Sequence, residues 1–366
     1  MKTHKFIVEG LAQYYDTISL IARQNGLNVG QPLWFRGHPY ASYNLLPSIM
    51  RKRDNKDMAN SHKTYSTGNL REEYRLQNYK ARVYHLTQSK PTSKLEWQAL
   101  YQHNFGKTRL LDWSESARTA LSFALEAFID PRELSDLEKQ RNTITPTVWV
   151  LNPRQLNQKV YKFLGNMITT ELIEKALYSL DLDGFAGEIQ NEIRNQDYYI
   201  NLDASSMDDI ELDGIINLGV IDEHRMNCGQ ELAGMLRRFE FNPFFYLCLR
   251  LYADALPVEI NKDVGVLPPL AVLHQYQSER IRAQRGCFAI FPNYILDQSV
   301  KRYKNLGFDC RILENQPYIA ECLYEIRILN PNQVAQDLLY SGERRTELYP
   351  ENEYYVHTME ASSFQT

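Results

Sequence analysis

Gln102–Phe123, QHNFGKTRLLDWSESARTALSF, sets a short strand against a helix and crowds polar groups where the two meet. Leu110 and Leu111, flanked by polar residues, predict a strand over TRLLDW. Ser114 suits the N-cap of a following helix and Glu115 complements the positive end of its dipole. Ala117, Ala120, Leu121, Ala124 and Leu125 then recur at helical spacing, so one face of that helix is buried. A strand that brings Arg109 and Asp112 to a capped helix N-terminus is a place to hold an anion. A structural role fits the same residues: Arg109 pairs with Asp112, and Trp113 is a core aromatic whose indole N–H meets a carbonyl.

Upstream, apolar residues from Leu11 to Ile21 follow a helical face over Glu9–Gln24, and Asn25-Gly26 stops it. Gly30 and Pro32 punctuate a turn into Leu33-Trp34-Phe35-Arg36-Gly37, a short apolar strand that ends in a cation and a glycine. Gly37 permits an unusual backbone conformation or the close approach of a ligand. Arg51–Gly68 reads as a solvated loop, followed by a helix from about Leu70 to Leu86. A second helix, entered through Ser93 with Glu96 at capping-box spacing, delivers Trp97, Leu100 and Tyr101 to the core and Gln102-His103 to the junction.

Downstream, Pro131–Pro146 reads as a charged linker and Thr147–Leu151 as a strand ended by Asn152-Pro153. The pattern from Arg154 to Asp263 is mainly helical. Its acidic run, Asp203–Asp213, lacks the glycine and terminal glutamate of a calcium loop and reads as a solvated face. Core-type sequence returns at Leu270–His274, SERIRAQRG and Cys287–Phe291. A helix near 296–303, a strand at Leu323–Leu329, a helix from Asn332 to Leu339 and a frayed tail beyond Tyr349-Pro350 complete an α+β pattern.

A chain of 366 residues exceeds one ordinary core, and 43% hydrophobic with 23% charged residues marks a globular protein. A net charge of −4 gives no global drive towards nucleic acid. Five cysteines without a CxxC pair suit a reducing compartment, and neither a signal peptide nor a membrane span is evident, so a cytoplasmic location is expected. P-loop, GxGxxG, HExxH and GxSxG motifs are missing, which leaves no motif-based case for those chemistries or for a metal.

Trp34-Phe35-Arg36-Gly37, Leu46-Pro47 with Arg51, Gln102-His103, and Thr108-Arg109-Leu110-Leu111-Asp112-Trp113-Ser114 together resemble the FRG domain family, named for its Phe/Trp-Arg-Gly motif. Ala120–Ala124 is similar to that family's Ala-Leu-x-Phe-Ala helix. Ser278, Glu279, Arg280, Ile281, Gln284, Gly286 and Phe288 resemble its Ser-x-Arg-Ile-x-x-Gln-x-Gly-x-Phe element. One departure lies between Gln-His and Thr-Arg, where Asn104-Phe105-Gly106-Lys107 puts the glycine one place late and omits a proline.

The expected fold is α+β, a small mixed β-sheet core flanked by helices, with an ADP-ribosyltransferase-like arrangement and a mainly helical insertion. The expected boundaries are an N-terminal helix at 1–24, a first FRG part at 25–153, the insertion at 154–263, a second FRG part with a C-terminal α/β segment at 264–345, and a tail at 346–366. Arginine forks grip phosphates and flat aromatics stack on rings, so a phosphate-bearing nucleotide fits Trp34, Gly37, Gln102, His103, Thr108, Arg109, Asp112, Trp113, Arg280 and Gln284.

The order of a strand arginine, a serine and a late glutamate is similar to that of ADP-ribosyltransferases that use NAD. That likeness gives Arg36 the pyrophosphate, Ser114 the nicotinamide-ribose and Glu279 a ribose hydroxyl and the oxocarbenium-like transition state. Asp112 and Glu351 are rival carboxylates. The partners implied are a nucleotide and a macromolecular acceptor, and the family resemblance implies a setting of bacterial and phage conflict. A non-catalytic nucleotide- or protein-binding module is the alternative. A third reading makes Arg36, Asp112 and Arg280 a buried ion network that fixes the fold.

Overall fold

The computed structural model describes residues 4–28, 31–51, 64–83, 91, 94–104, 106–129, 145–157, 159, 269–272, 279–291, 312–316, 319–342 and 348–349. The expected charged linker as far as residue 144, the acidic run, the helix near 296–303, Ser93, Glu351 and nearly all of the 154–263 insertion lie outside the described residues.

Strand β1 (His4–Val8) leads into α1 (Leu11–Gln24), which buries Tyr14 and Ile21. The helix stops as its sequence requires: Gly26 adopts φ 62°, its N–H donates to Arg23 O at 3.0 Å, and the Leu27 N–H donates to Ala22 O at 3.0 Å. Then follow β2 (Trp34–His38), α2 (Thr64–Val83), α3 (Lys94–His103), β3 (Leu110–Ser114), α4 (Ala117–Ala124), α5 (Glu126–Ile129) and β4 (Thr147–Leu151). The described chain resumes with β5 (Leu270–Val272), α6 (Glu279–Ala283), β6 (Gly286–Ile290), β7 (Leu323–Ile328) and α7 (Pro331–Tyr340).

Among the described residues, seven strands form one mixed sheet in the order β1-β7-β4-β2-β3-β6-β5, in which β1 and β7 run parallel and all other neighbours antiparallel. The α+β architecture matches the sequence reading. On one face Phe35, Val148, Val150 and Ile326 pack against Tyr14 and Ile21 of α1, Ala120, Leu121 and Ala124 of α4, and Val334 and Leu338 of α7. Every residue of β4 is buried, as expected for the apolar run TVWVL in a central strand.

The ladder is uneven. Strand β2 pairs with β4 through five residues, and β3 pairs with β6 through five, but β2 meets β3 only where Phe35 faces Ser114. The sheet is thus two well-laddered parts joined at one point. Helix α4 spans the joint by lying on β2, and the contact is backbone to strand: a Cβ on Gly37 would stand 1.9 Å from Ala120 O and 2.6 Å from Ala124 N. Gly37 does not show positive φ, so its requirement is this close helix approach and not an unusual backbone conformation.

Three local expectations are corrected. The α4 N-cap is Ser116, whose Oγ accepts from the Thr119 N–H at 3.2 Å; Ser114 remains in β3 because it pairs with both Phe35 and Gly286. Helix α2 begins at Thr64, inside the segment read as loop. Strand β1 was not foreseen: its front is charged and Val8 alone is fully buried, so little alternation marks it.

Gly37→Ala is expected to destabilise the protein by about 2 kcal/mol or more, because overpacking against a helix backbone leaves no side chain free to move aside. Urea unfolding followed by circular dichroism checks this through a lower midpoint at unchanged slope.

Candidate functional site

A cleft of about 960 Å³ opens where β2 and β3 part. Its walls are the segment after β2 (Pro39, Tyr43, Leu46, Arg51), α3 (Ala99, Gln102, His103), β3 (Asp112, Trp113, Ser114), α4 and α5 (Phe123, Glu126), α6 (Arg280), Gln284 just past α6, and Tyr349. Arg36 spans the fork. Its Nη1 donates to Asp112 O at 2.5 Å, taking the place of a missing ladder bond, and stands 3.6 Å from Asp112 Oδ2.

The polar groups around Arg36 form one chain. Arg36 Nε donates to His38 Nε2 at 3.0 Å, which makes that nitrogen an acceptor and leaves His38 Nδ1–H to donate to Tyr43 O at 3.1 Å. Burial first, and the neighbouring guanidinium second, push the His38 pKa down to about 3, so the imidazole is neutral at physiological pH and orients Arg36 instead of carrying protons. Burial also lowers the Arg36 pKa, with Asp112 opposing the change. On the other side, Gln102 Nε2 donates to Asp112 Oδ1 at 2.5 Å, while Gln102 Oε1 accepts from the Thr108 hydroxyl. The guanidinium is therefore held at both ends, with 16% of its side chain still open to solvent.

Of the residues singled out in the sequence, Arg36, Gly37, Gln102, His103, Asp112, Trp113, Ser114, Arg280 and Gln284 line the cleft. Four do not. Trp34 is buried in the core, two positions along the strand from Arg36, and offers no ring to a ligand. Thr108 is buried and acts on the site through Gln102. Arg109 turns away from Asp112 into a buried cluster: its Nε donates to Glu72 Oε2 at 2.7 Å, its backbone N–H to Glu72 Oε1 at 3.0 Å, and its Nη1 to Phe291 O at 3.1 Å. Neither the ligand role nor the Arg109–Asp112 pair holds. Glu279 opens α6 with a side chain 76% exposed, 3.5 Å from Arg282; its successor Arg280 faces the cleft, and adjacent helical residues do not share a face.

Ser114 Oγ donates to Gln284 O at 2.7 Å and accepts from the Ser116 N–H at 2.9 Å, which fastens the end of β3 to the residue that follows α6. Gln284 Nε2 donates to Leu348 O at 3.1 Å, and the Arg280 guanidinium lies 4.8 Å from the centre of the Tyr349 ring. Tyr349, assigned to the tail by sequence together with Leu348, thus closes one wall. The all-buried ion network fails as well, since the Asp112 side chain is 57% exposed. Sequence reasoning missed His38, Phe123, Glu126 and Tyr349 as site residues; Phe123 entered only as part of the Ala-Leu-x-Phe-Ala helix, and Glu126 follows the apolar stripe without belonging to it.

The family model of the FRG domain matches residues 31–132. The chain carries an FRG domain. That interval runs from just before β2 to just past α5 and includes Arg36, His38, Gln102, Asp112 and Glu126, whereas α6 and Tyr349 complete the FRG cleft from outside it. The unusual turn of this FRG domain is closed by Gly106, whose N–H donates to Tyr101 O at 2.8 Å and whose Cβ, if present, would stand 2.5 Å from that oxygen. No curated protein and no solved structure matches the chain. Among the described residues no cluster of His, Cys, Asp and Glu could hold a metal ion, and no helix is long and apolar enough to cross a membrane.

Two predictions separate scaffold from site. Glu72→Ala leaves the buried Arg109 charge without its carboxylate and is expected to cost about 3–5 kcal/mol, read as a large loss of urea midpoint. The second concerns Glu314, which accepts from the Leu45 N–H at 3.0 Å beside the cleft wall. Burial raises its pKa to about 7 against an ordinary 4.5, so the folded state binds the extra proton between those values. That contribution is full below pH 4.5 and is lost as pH rises through 7. The melting temperature of Glu314→Gln minus that of the wild type should therefore increase between pH 5 and pH 8; a difference constant with pH contradicts the assignment.

Proposed function

We propose that the FRG cleft binds a phosphate-bearing nucleotide, with NAD as the ligand of first choice. The observation that carries this reading is the Arg36 guanidinium, held between Asp112 and His38 at the mouth of a fork in the sheet. Arg51 and Arg280 line the same cleft. Guanidinium groups recognise phosphate oxygens in a bidentate manner, and three of them around one cavity match a pyrophosphate. A volume of about 960 Å³ suits a dinucleotide, near the upper end of ordinary small-molecule sites. His103 adds a polar surface.

A second reading, ADP-ribosyl transfer to a macromolecular acceptor in a setting of phage conflict, rests on the FRG resemblance and on one cleft observation, the carboxylate of Glu126. In that reaction the C1′–N bond of NAD breaks, nicotinamide leaves with the bonding pair, and the acceptor nucleophile bonds C1′ and gives up its proton to a base. Glu279 lies outside the cleft, so on this reading Glu126 takes the role at the ribose.

Thermal-shift titration with NAD, ADP-ribose and ATP checks the binding proposal. A true ligand stabilises the fold by about 2.7 kcal/mol at a hundredfold excess over its dissociation constant. The shift should vanish in Arg36→Ala and shrink in Arg51→Ala, whose exposed side chain makes it the safer variant for folding. If none of the three nucleotides moves the wild-type melting temperature, the nucleotide reading is abandoned in favour of a protein-binding module.

A further inference from the structure

Of the aromatic side chains that line the cleft, Phe35, Trp113 and Phe288 are buried, and the Tyr349 ring is taken up by Arg280 at 4.8 Å and by Phe123 at 6.2 Å. Tyr43 differs. It is 51% exposed, and among the described residues its side chain makes no hydrogen bond. Its ring is backed by that of Tyr40, with centroids 4.9 Å apart, and meets His38 edge to face at 6.1 Å.

The backbone beneath this ring is fastened at three points. The Tyr43 N–H donates to Tyr40 O at 3.0 Å, and Tyr43 O accepts from His38 Nδ1 at 3.1 Å. Next, the Leu45 N–H donates to Glu314 Oε2 at 3.0 Å and Leu45 O accepts from the Leu313 N–H at 3.1 Å. Last, the Ile49 N–H donates to Thr108 O at 3.2 Å, and Ser48 Oγ accepts from the Thr108 N–H at 3.1 Å, just before β3. The segment is therefore a braced wall that runs from one part of the forked sheet to the other, with Tyr43 near one end and Arg51 at the other. Arg51 Nε donates to Leu46 O at 2.9 Å, and among the described residues its terminal nitrogens meet no carboxylate. Burial first lowers the Arg36 pKa and the Arg51 charge adds to the effect, so the two guanidiniums share one region of the cleft.

We infer that Tyr43 is the nucleobase platform of the cleft: the flat ring of a nucleoside 5′-diphosphate stacks on its exposed surface while the phosphates meet Arg36 and Arg51. This rests on the nucleotide reading of the cleft and adds the place of the base. A ring held on a braced backbone loses little freedom when a ligand covers it, so more of the contact is realised as affinity. Every base has a π face, so stacking here tolerates base identity and leaves recognition of the charged end to the guanidiniums. His38 links the two ends, holding Tyr43 by its carbonyl and Arg36 by its Nε, so the ring and the guanidinium keep their spacing.

Because His38 holds the Tyr43 carbonyl and not its side chain, a substitution at Tyr43 leaves the chain that orients Arg36 in place. Isothermal titration of the full chain with ADP and inorganic pyrophosphate therefore reads the two ends separately. The wild type should bind ADP more tightly than pyrophosphate. Tyr43→Ala should weaken ADP binding about tenfold, the size expected for one base stacked on one aromatic ring, and leave pyrophosphate affinity unchanged. Tyr43→Phe, which keeps the ring and removes the hydroxyl, should bind ADP as the wild type does, whereas Arg51→Ala should weaken both ligands. Should Tyr43→Ala fail to fold by circular dichroism, Tyr43→Leu serves, with the same selective loss of ADP. Unchanged ADP affinity in Tyr43→Ala, an equal loss of both ligands, or a Tyr43→Phe variant as weak as Tyr43→Ala overturns the platform and spares the phosphate site if pyrophosphate binds the wild type. Failure of both ADP and pyrophosphate to bind the wild type overturns the nucleotide reading and the platform together.

Discussion

The pairing of Phe35 with Ser114 is the constraint on which the site depends. At that point the four-strand part β1-β7-β4-β2 touches the three-strand part β3-β6-β5, and away from it the two parts have no ladder between them. A sheet that forks leaves backbone groups in need of partners, since a buried carbonyl without a hydrogen bond is costly. Arg36 answers that need by donating to Asp112 O across the gap. The same guanidinium that completes the sheet is thereby held, oriented and partly open at the floor of a cleft. A continuous ladder would have closed the cleft, and a fork without Arg36 would have left Asp112 O to water.

Holding the two parts together falls to α4. The helix follows β3 after a two-residue turn and lies across β2, so it belongs to one part in sequence and to the other in packing. Gly37 allows the helix backbone to reach the strand, and Ala120 and Ala124 keep that face of α4 thin. Ser114 ties the end of β3 to Gln284 O, and Gln284 in turn holds Leu348 O. Small residues and short polar links at the joint set the opening of the cleft; larger ones would pry it apart.

Much of this was legible in the residues because periodicity reports burial. The runs at Trp34, Leu110, Thr147 and Leu323 each gave a strand, the Cys287 run gave core-type sequence without an element, and the alanine-leucine stripe gave α4. The failures have physical causes. Strand β1 carries its charge outward and gains its place by parallel pairing with β7, with Lys5 2.8 Å from Glu325, a partner far away in the chain. The cap moved from Ser114 to Ser116 because strand pairing on both sides holds Ser114 extended. The site was legible as a set of residue types but not as a direction: Trp34 and Arg36 share a strand, Glu279 and Arg280 are neighbours, and what separates their roles is packing that sequence spacing does not encode.

The two arginines of the quoted motifs show what does separate them. Arg109 is 1% exposed; Glu72 accepts from both its Nε and its backbone N–H, and its Nη1 donates to Phe291 O just past β6, in a cluster where all parties are buried. Such a pair offsets its own desolvation and has little charge to offer anything else. Arg36 faces a carboxylate that is largely in water and a histidine kept neutral by burial, so its positive charge is compensated weakly and in part by solvent. An incoming anion can replace that solvent without stripping the guanidinium of an ion-pair partner, and the hydrogen bonds to Asp112 O and His38 keep the fork in register as it does so. Two arginines of equal prominence in the sequence thus divide into one that holds the scaffold and one that the scaffold holds ready.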